Sequence, residues 1–151
     1  MPLAAALVQL NASDDPAANL PETERLVREA AAGGARLVLT PEVTNIVSAS
    51  RSRQSAVLAE EGADETLARL RAVAAETGIW LSIGSLALKA GGGETRFVNR
   101  QFLLAPDGAI VARYDKIHMF DVALGGEEQY RESAGYRPGE TAVLAETPFG
   151  A

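Results

Sequence analysis

The first forty residues carry the pattern that most limits the fold: two apolar runs separated by one amphipathic helix. Leu3 to Leu10 is nearly continuous in apolar residues, as in a strand buried on both faces. Asn11 to Pro16 is turn chemistry. A helix is expected from about Asn19 to Ala32, with Asn19 as N-cap and Pro21 in the first turn, where a missing N–H costs nothing. Thr23, Leu26, Val27, Ala30 and Ala31 form its inward stripe. Gly33-Gly34 stops it, because glycine takes the left-handed conformation cheaply. Leu37 to Thr40 then reads as a second buried strand. Strand, helix and strand in this order imply parallel neighbours joined by a right-handed crossover.

The rest of the chain extends that unit. Val43 to Glu61 has no clear period, and Ser48 to Gln54 is polar and basic, so this stretch reads as a surface loop with a short helix. Asp64 caps a second helix over Glu65 to Thr77, with Leu67, Leu70, Val73 and Ala74 inward and Gly78 as its stop. Ile79 to Leu88 and Arg96 to Ala105 read as strands around the Gly91–Gly93 turn. Pro106-Asp107-Gly108 turns the chain back into Ile110 to Tyr114. Thr141 to Ala145 is a last candidate strand. The fold class is α/β with a mixed sheet, and 151 residues fit one domain.

Composition removes several function classes. A net charge of −6 argues against nucleic-acid or anionic-membrane surfaces. With no cysteine there are no disulfides and no thiolate metal sites. The N-terminus lacks a basic leader region, and no apolar run approaches a membrane span, so the expectation is a soluble cytoplasmic protein. His118 is the sole histidine and cannot make a metal site by itself. Gly91–Gly93 lacks the pattern of a phosphate cradle, and no serine sits in a nucleophile elbow.

Two apolar strands end in charge. Leu37-Val38-Leu39 runs into Thr40-Pro41-Glu42, and Ile110 to Tyr114 runs into Asp115-Lys116-Ile117-His118. A Gly-rich acidic loop from Gly125 to Arg137 follows and contains Glu132. Ligands in open α/β sheets gather at such carboxyl ends. Desolvation at this position can raise the pKa of Glu42, as a general base requires, although a loop glutamate facing water is commoner. An ammonium fixed at Lys116 can stabilise an oxyanion, although an edge-strand lysine that discourages aggregation is commoner.

Leu39-Thr40-Pro41-Glu42, Tyr114-Asp115-Lys116-Ile117-His118, Tyr130-Arg131-Glu132-Ser133 and Tyr136-Arg137-Pro138-Gly139 together resemble the carbon–nitrogen hydrolases, the nitrilase superfamily. The resemblance is nearest to bacterial amidases similar to omega-amidase and deaminated glutathione amidase. It implies a four-layer α-β-β-α sandwich, with residues 1–151 as the N-terminal portion of a single domain, about its first half. It implies a Glu–Lys–Cys triad with Glu42 as base and Lys116 as the lysine. Glu132 is the second glutamate, which orients Lys116 and helps to position substrate. Tyr130 is implied in substrate binding, Asp121 in shaping the pocket and His118 in structure, while Phe120 is expected in the core. The nucleophile would lie beyond Ala151. The implied activity is hydrolysis of a small carboxamide, such as an ω- or α-keto-acid amide, through a Cys thioester, with no metal or organic cofactor. The implied partners are a second copy of the chain or a companion C-terminal segment. A non-catalytic or split-chain interaction module and an N-acyltransferase of the same superfamily are the alternatives.

Overall fold

The expected βαβ unit opens the computed structural model, which describes residues 2–123 and 129–150. β1 (Ala5–Leu7) lies parallel to β2 (Leu37–Leu39), with Ala5 opposite Leu37 and Leu7 opposite Leu39. β2 is parallel to β3 (Trp80–Lys89), and β4 (Phe97–Leu104) and β5 (Ile110–Asp115) add antiparallel. The result is a mixed five-stranded sheet in sequence order.

α1 (Pro16–Ala32) and α3 (Glu65–Thr77) pack on one face of this sheet, while the short α2 (Arg51–Val57) lies in the connection after β2. Val27, Leu67, Leu70, Val73 and Ala74 meet Val38, Leu81, Ile83, Leu86, Phe102 and Leu104 in the core. α3 follows its expectation closely. Asp64 accepts a 2.7 Å hydrogen bond from the Leu67 N–H, and Gly78 ends the helix at φ 67°.

α1 differs at its start. Its cap is Asp15, whose carboxylate accepts from the Ala17 N–H, and Pro16 occupies the first turn. Pro21 therefore lies inside the helix, where its missing N–H removes a bond to the Ala17 carbonyl. Asn19 is no cap. Its side-chain oxygen accepts from the Ser13 N–H at 2.8 Å, and its amide donates to the carbonyls of Ser13 and Asn45, both at 2.9 Å. It ties together the loops that leave β1 and β2.

Three further expectations are corrected. β1 is short and not covered on both faces: Leu7 is 83% exposed, because an edge strand has one neighbour and no described residue covers it from the second face. The stretch after β2 is not all surface, since Thr44, Asn45 and Ile46 are buried. Thr141 to Ala145 forms no strand. It runs irregularly across the second sheet face, where Ala142, Val143 and Ala145 line a hollow with Ser82, Gln101 and Leu103.

A small hairpin that the sequence did not suggest, β6 (Asp121–Ala123) with β7 (Gln129–Arg131), precedes a single 3₁₀ turn at Glu132–Ala134. The Gly125-Gly126 and Glu127-Glu128 part of the expected loop lies outside the described residues.

Candidate active site

The segment that delivers Glu42 is stitched onto β3. The Thr40 N–H donates to the Ser82 carbonyl at 3.0 Å, and the Thr44 N–H to the Ser85 carbonyl at 2.8 Å. The Val43 N–H donates to Ser85 Oγ at 2.7 Å, and the Asn45 amide exchanges two 2.9 Å bonds with the Ala87 backbone. The Thr44 hydroxyl donates to the Pro41 carbonyl at 2.7 Å. This docking needs a backbone without a side chain. A Cβ on Gly84 would stand 2.3 Å from the Thr40 oxygen, and the β3–β4 register shifts at this point. Val43 adopts φ 50°, a costly value for a β-branched residue. The strain sits directly beside Glu42.

Lys116 follows β5 in ladder-like pairing. Its N–H donates to the Asn99 carbonyl at 2.9 Å, and its own carbonyl accepts from the Gly139 N–H at 2.8 Å. Its Nζ lies 3.0 Å from Glu42 Oε1 and 3.0 Å from each oxygen of Glu132. Glu132 opens the 3₁₀ turn and also accepts from the Phe120 N–H at 2.6 Å, which pins the start of the hairpin to the lysine. Ser133 donates its N–H and hydroxyl to the Asp121 carboxylate and fastens the other side of the same turn.

Asn99 escaped the sequence reading. It is 3% exposed and donates from Nδ2 to Glu42 Oε1 at 2.8 Å, while its carbonyl holds the lysine backbone. Its only signal was a polar run, Asn99-Arg100-Gln101, inside a strand with apolar ends, and this gave no hint of a partner 57 residues away. Among the described residues both hydrogen bonds to Glu42 fall on Oε1, which leaves Oε2 to accept a proton.

The electrostatics differ from the expectation for Glu42. The hydrogen bond from Lys116 holds its carboxyl below the ordinary 4.5; burial opposes this and the Asn99 amide assists it. The net shift is therefore downward and not upward, because the ammonium ion in contact outweighs desolvation. For Lys116, burial acts to lower the pKa, but the bonds to Glu132 and Glu42 outweigh it and the shift is upward. The amine stays charged, which suits a stabiliser of negative charge and not a base.

Glu42, Lys116, Glu132 and Tyr130, the four residues singled out from the sequence, line one cavity of about 590 Å³. Phe120 lines it too, and at 60% exposure it is not a core residue; its ring packs on Tyr130 with centroids 5.5 Å apart. Arg51 lies on the same wall.

The chain is 33% identical over 147 residues to the deaminated glutathione amidase of Yersinia enterocolitica, covering 96% of this chain and 50% of that protein. It is 34% identical over 143 residues to the omega-amidase NIT2 of Xenopus tropicalis, covering 95% of this chain and 50% of that protein. Among solved structures, an amidase from Nesterenkonia sp. superposes with TM-score 0.72 at 30% identity, over 92% of this chain and 49% of that one. A glutamate-to-glutamine mutant of the amidase from Nesterenkonia sp. AN1 has been solved after Michael addition of acrylamide at its active-site cysteine, and superposes with TM-score 0.73 at 29% identity. The NitFhit protein of C. elegans shares the fold, with TM-score 0.85 at 23% identity, over 99% of this chain and 37% of that one. The chain thus has the nitrilase α/β fold and spans about half the length of the curated relatives it matches. The carbon–nitrogen hydrolase family model matches residues 4–151, and the chain belongs to that family.

Proposed function

We propose that this chain carries the acid–base and electrostatic part of an amidase site that acts on a small carboxamide. The observation that carries the reading is Lys116 Nζ held 3.0 Å from both Glu42 and Glu132 on the wall of a cavity. In this reading the substrate carbonyl sits against Lys116, whose ammonium stabilises the oxyanion formed when a thiolate adds to the carbon. Glu42 Oε2 takes the thiol proton and passes it to the departing ammonia. Water then attacks the thioester with Glu42 again as base. Splitting the reaction into acylation and deacylation replaces one high barrier with two lower ones. Glu132 keeps the lysine charged and aimed, and Tyr130 with Phe120 closes the apolar side of the pocket.

The chain contains no cysteine, so by itself it binds the amide without forming the thioester. The test is a titration of the purified chain with butanamide, followed by NMR and by an ammonia assay. Shifts at Glu42 and Lys116 without ammonia release are expected. Release of ammonia by the homogeneous chain, or shifts confined to other regions, would overturn the reading.

A further inference from the structure

The net charge of −6 hides one place where positive groups gather. Arg96, Arg100, Arg113 and Arg137 line a polar hollow of about 620 Å³ at the β5 edge of the sheet. Asp115 lines it too, whereas Lys116, next in the chain, lines the cavity of the candidate active site. The two spaces share no residue.

The four arginines are unequally engaged. Arg100 binds both oxygens of Asp115 through Nε and Nη2, at 2.6 and 2.9 Å, and Glu61 through Nη1 at 2.8 Å. Arg96 is held by Glu94 through Nε and Nη2. Arg113 uses only its Nε, on the other oxygen of Glu61 at 2.8 Å. Arg137 is looser still. Among the described residues its guanidinium has one ion contact, 3.6 Å from Nη2 to Asp115, which is longer than a hydrogen bond. Both oxygens of Asp115 already accept from Arg100, so Arg137 meets a carboxylate that is occupied. Arg113 and Arg137 thus keep N–H groups without an acceptor among the described residues.

The wall that carries Arg137 is fixed in place. Its own N–H donates to the Phe97 carbonyl at 2.8 Å, and the Gly139 N–H donates to the Lys116 carbonyl at 2.8 Å. A Cβ on Gly139 would clash with the Asp115 carbonyl oxygen, so this segment lies flush against the end of β5. Pro138 and Val143 give the hollow apolar surface, and Glu140 adds a carboxylate with no ion pair among the described residues.

We propose that this hollow binds the phosphate group of a small organic phosphate monoester, with Arg113 and Arg137 as the donors. A carboxylate offers two oxygens and suits one guanidinium fork. A phosphate monoester offers three acceptor oxygens and about twice the charge, so it takes bonds from two arginines at once. Asp115 and Glu61 hold the arginines in position, and Pro138 and Val143 meet the organic body of the ligand.

The experiment follows the arginine side-chain N–H signals of the 151-residue chain by NMR, during titration with phenyl phosphate, inorganic phosphate and acetate at constant ionic strength. Phenyl phosphate should shift Arg113 and Arg137 along a saturating curve and bind more tightly than inorganic phosphate. Acetate should not saturate over the same range. Arg137→Met should weaken phenyl phosphate about tenfold, the scale of a lost charge-assisted bond, and Arg137→Lys should keep part of the affinity. Arg113→Met should cause a similar loss, with a urea midpoint to show that it still folds. Glu140→Gln removes a like charge from the rim and should tighten binding. Arg28→Met, on α1, should change nothing. Equal, unsaturating shifts with phosphate and acetate would mean ionic screening alone and overturn the site. A saturating curve that survives both Arg113→Met and Arg137→Met would overturn it as well. Equal affinity for the two phosphates would overturn the monoester and leave a site for the free ion.

Discussion

Among the described residues Glu42 receives its hydrogen bonds on one oxygen, from Lys116 and Asn99, and its titration follows from them. Its carboxyl is held below the ordinary 4.5, chiefly by Lys116. A carboxyl whose folded pKa is depressed contributes stability that is complete above the unfolded value and is lost as pH falls through the folded one. The Glu42–Lys116 contact should therefore persist through neutral pH and open only on acidification below about 4.5. A carbon-13 titration of the Glu42 carboxyl should place its midpoint below 4.5, and Lys116→Met should move that midpoint up. An unmoved midpoint would show that the pair does not form in solution. Asn99→Leu should move it in the same direction, since the amide also favours the charged form. Gly84 is the other decisive residue. A methyl group there meets the Thr40 and Pro41 carbonyls at 2.3 and 2.6 Å, both backbone atoms. Gly84→Ala should destabilise by about 1–3 kcal/mol, the usual cost of overpacking, as read from urea denaturation.

At the scale of elements, α3 supplies the larger part of the helical face of the core. Leu70 and Val73 are fully buried against the sheet, and Leu70→Ala should cost about 2–5 kcal/mol. The helix start offers a sharper comparison. Asp64 caps α3, and burial pushes its carboxyl above the ordinary 3.8 although the Leu67 N–H pulls it down. Asp64→Ala should lose about 0.5–2 kcal/mol with the cap. Asp64→Asn keeps an accepting oxygen and removes the buried charge, so it should lose much less in the same thermal melts. Equal losses for the two variants would mean that the cap contributes little. The loops behave differently from the helices. Asn19, Asn45 and Ser85 make their bonds between elements, so the loops at the carboxyl ends of β1 and β2 are held by side chains drawn from elsewhere. That bracing lets a strained Val43 persist beside the reacting carboxylate.

At the scale of the molecule, one sheet face is covered by helices; on the other, Ile46, Leu58 and Tyr136 cover Ala87 and Phe97, and the chain around Thr141 to Ala145 crosses the part near Ser82 and Gln101. Leu7 and Leu144 are 83% and 78% exposed. Exposed apolar surface of this kind invites association, with a further copy or with a companion segment. Sedimentation of the purified chain should show a mass that rises with concentration, and the double variant Leu7→Lys, Leu144→Lys should suppress the rise. A monomer at all concentrations would contradict this. The sequence by itself determined the parallel βαβ start, the cap, stripe and stop of α3, and the β4–β5 hairpin, because each is written in spacings of a few residues. The family motifs carried Glu42, Lys116 and Glu132 as candidates. Only the tertiary structure decided the rest: that Asn99 reaches Glu42 across 57 residues and Lys116 reaches it across 74, that Phe120 faces the cavity and not the core, that Arg51 has an aromatic seat, and that the Glu42 pKa moves down and not up. The physical reason is that periodicity reports which face of an element is apolar, whereas a charge takes its properties from the group that folding brings within about 3 Å of it.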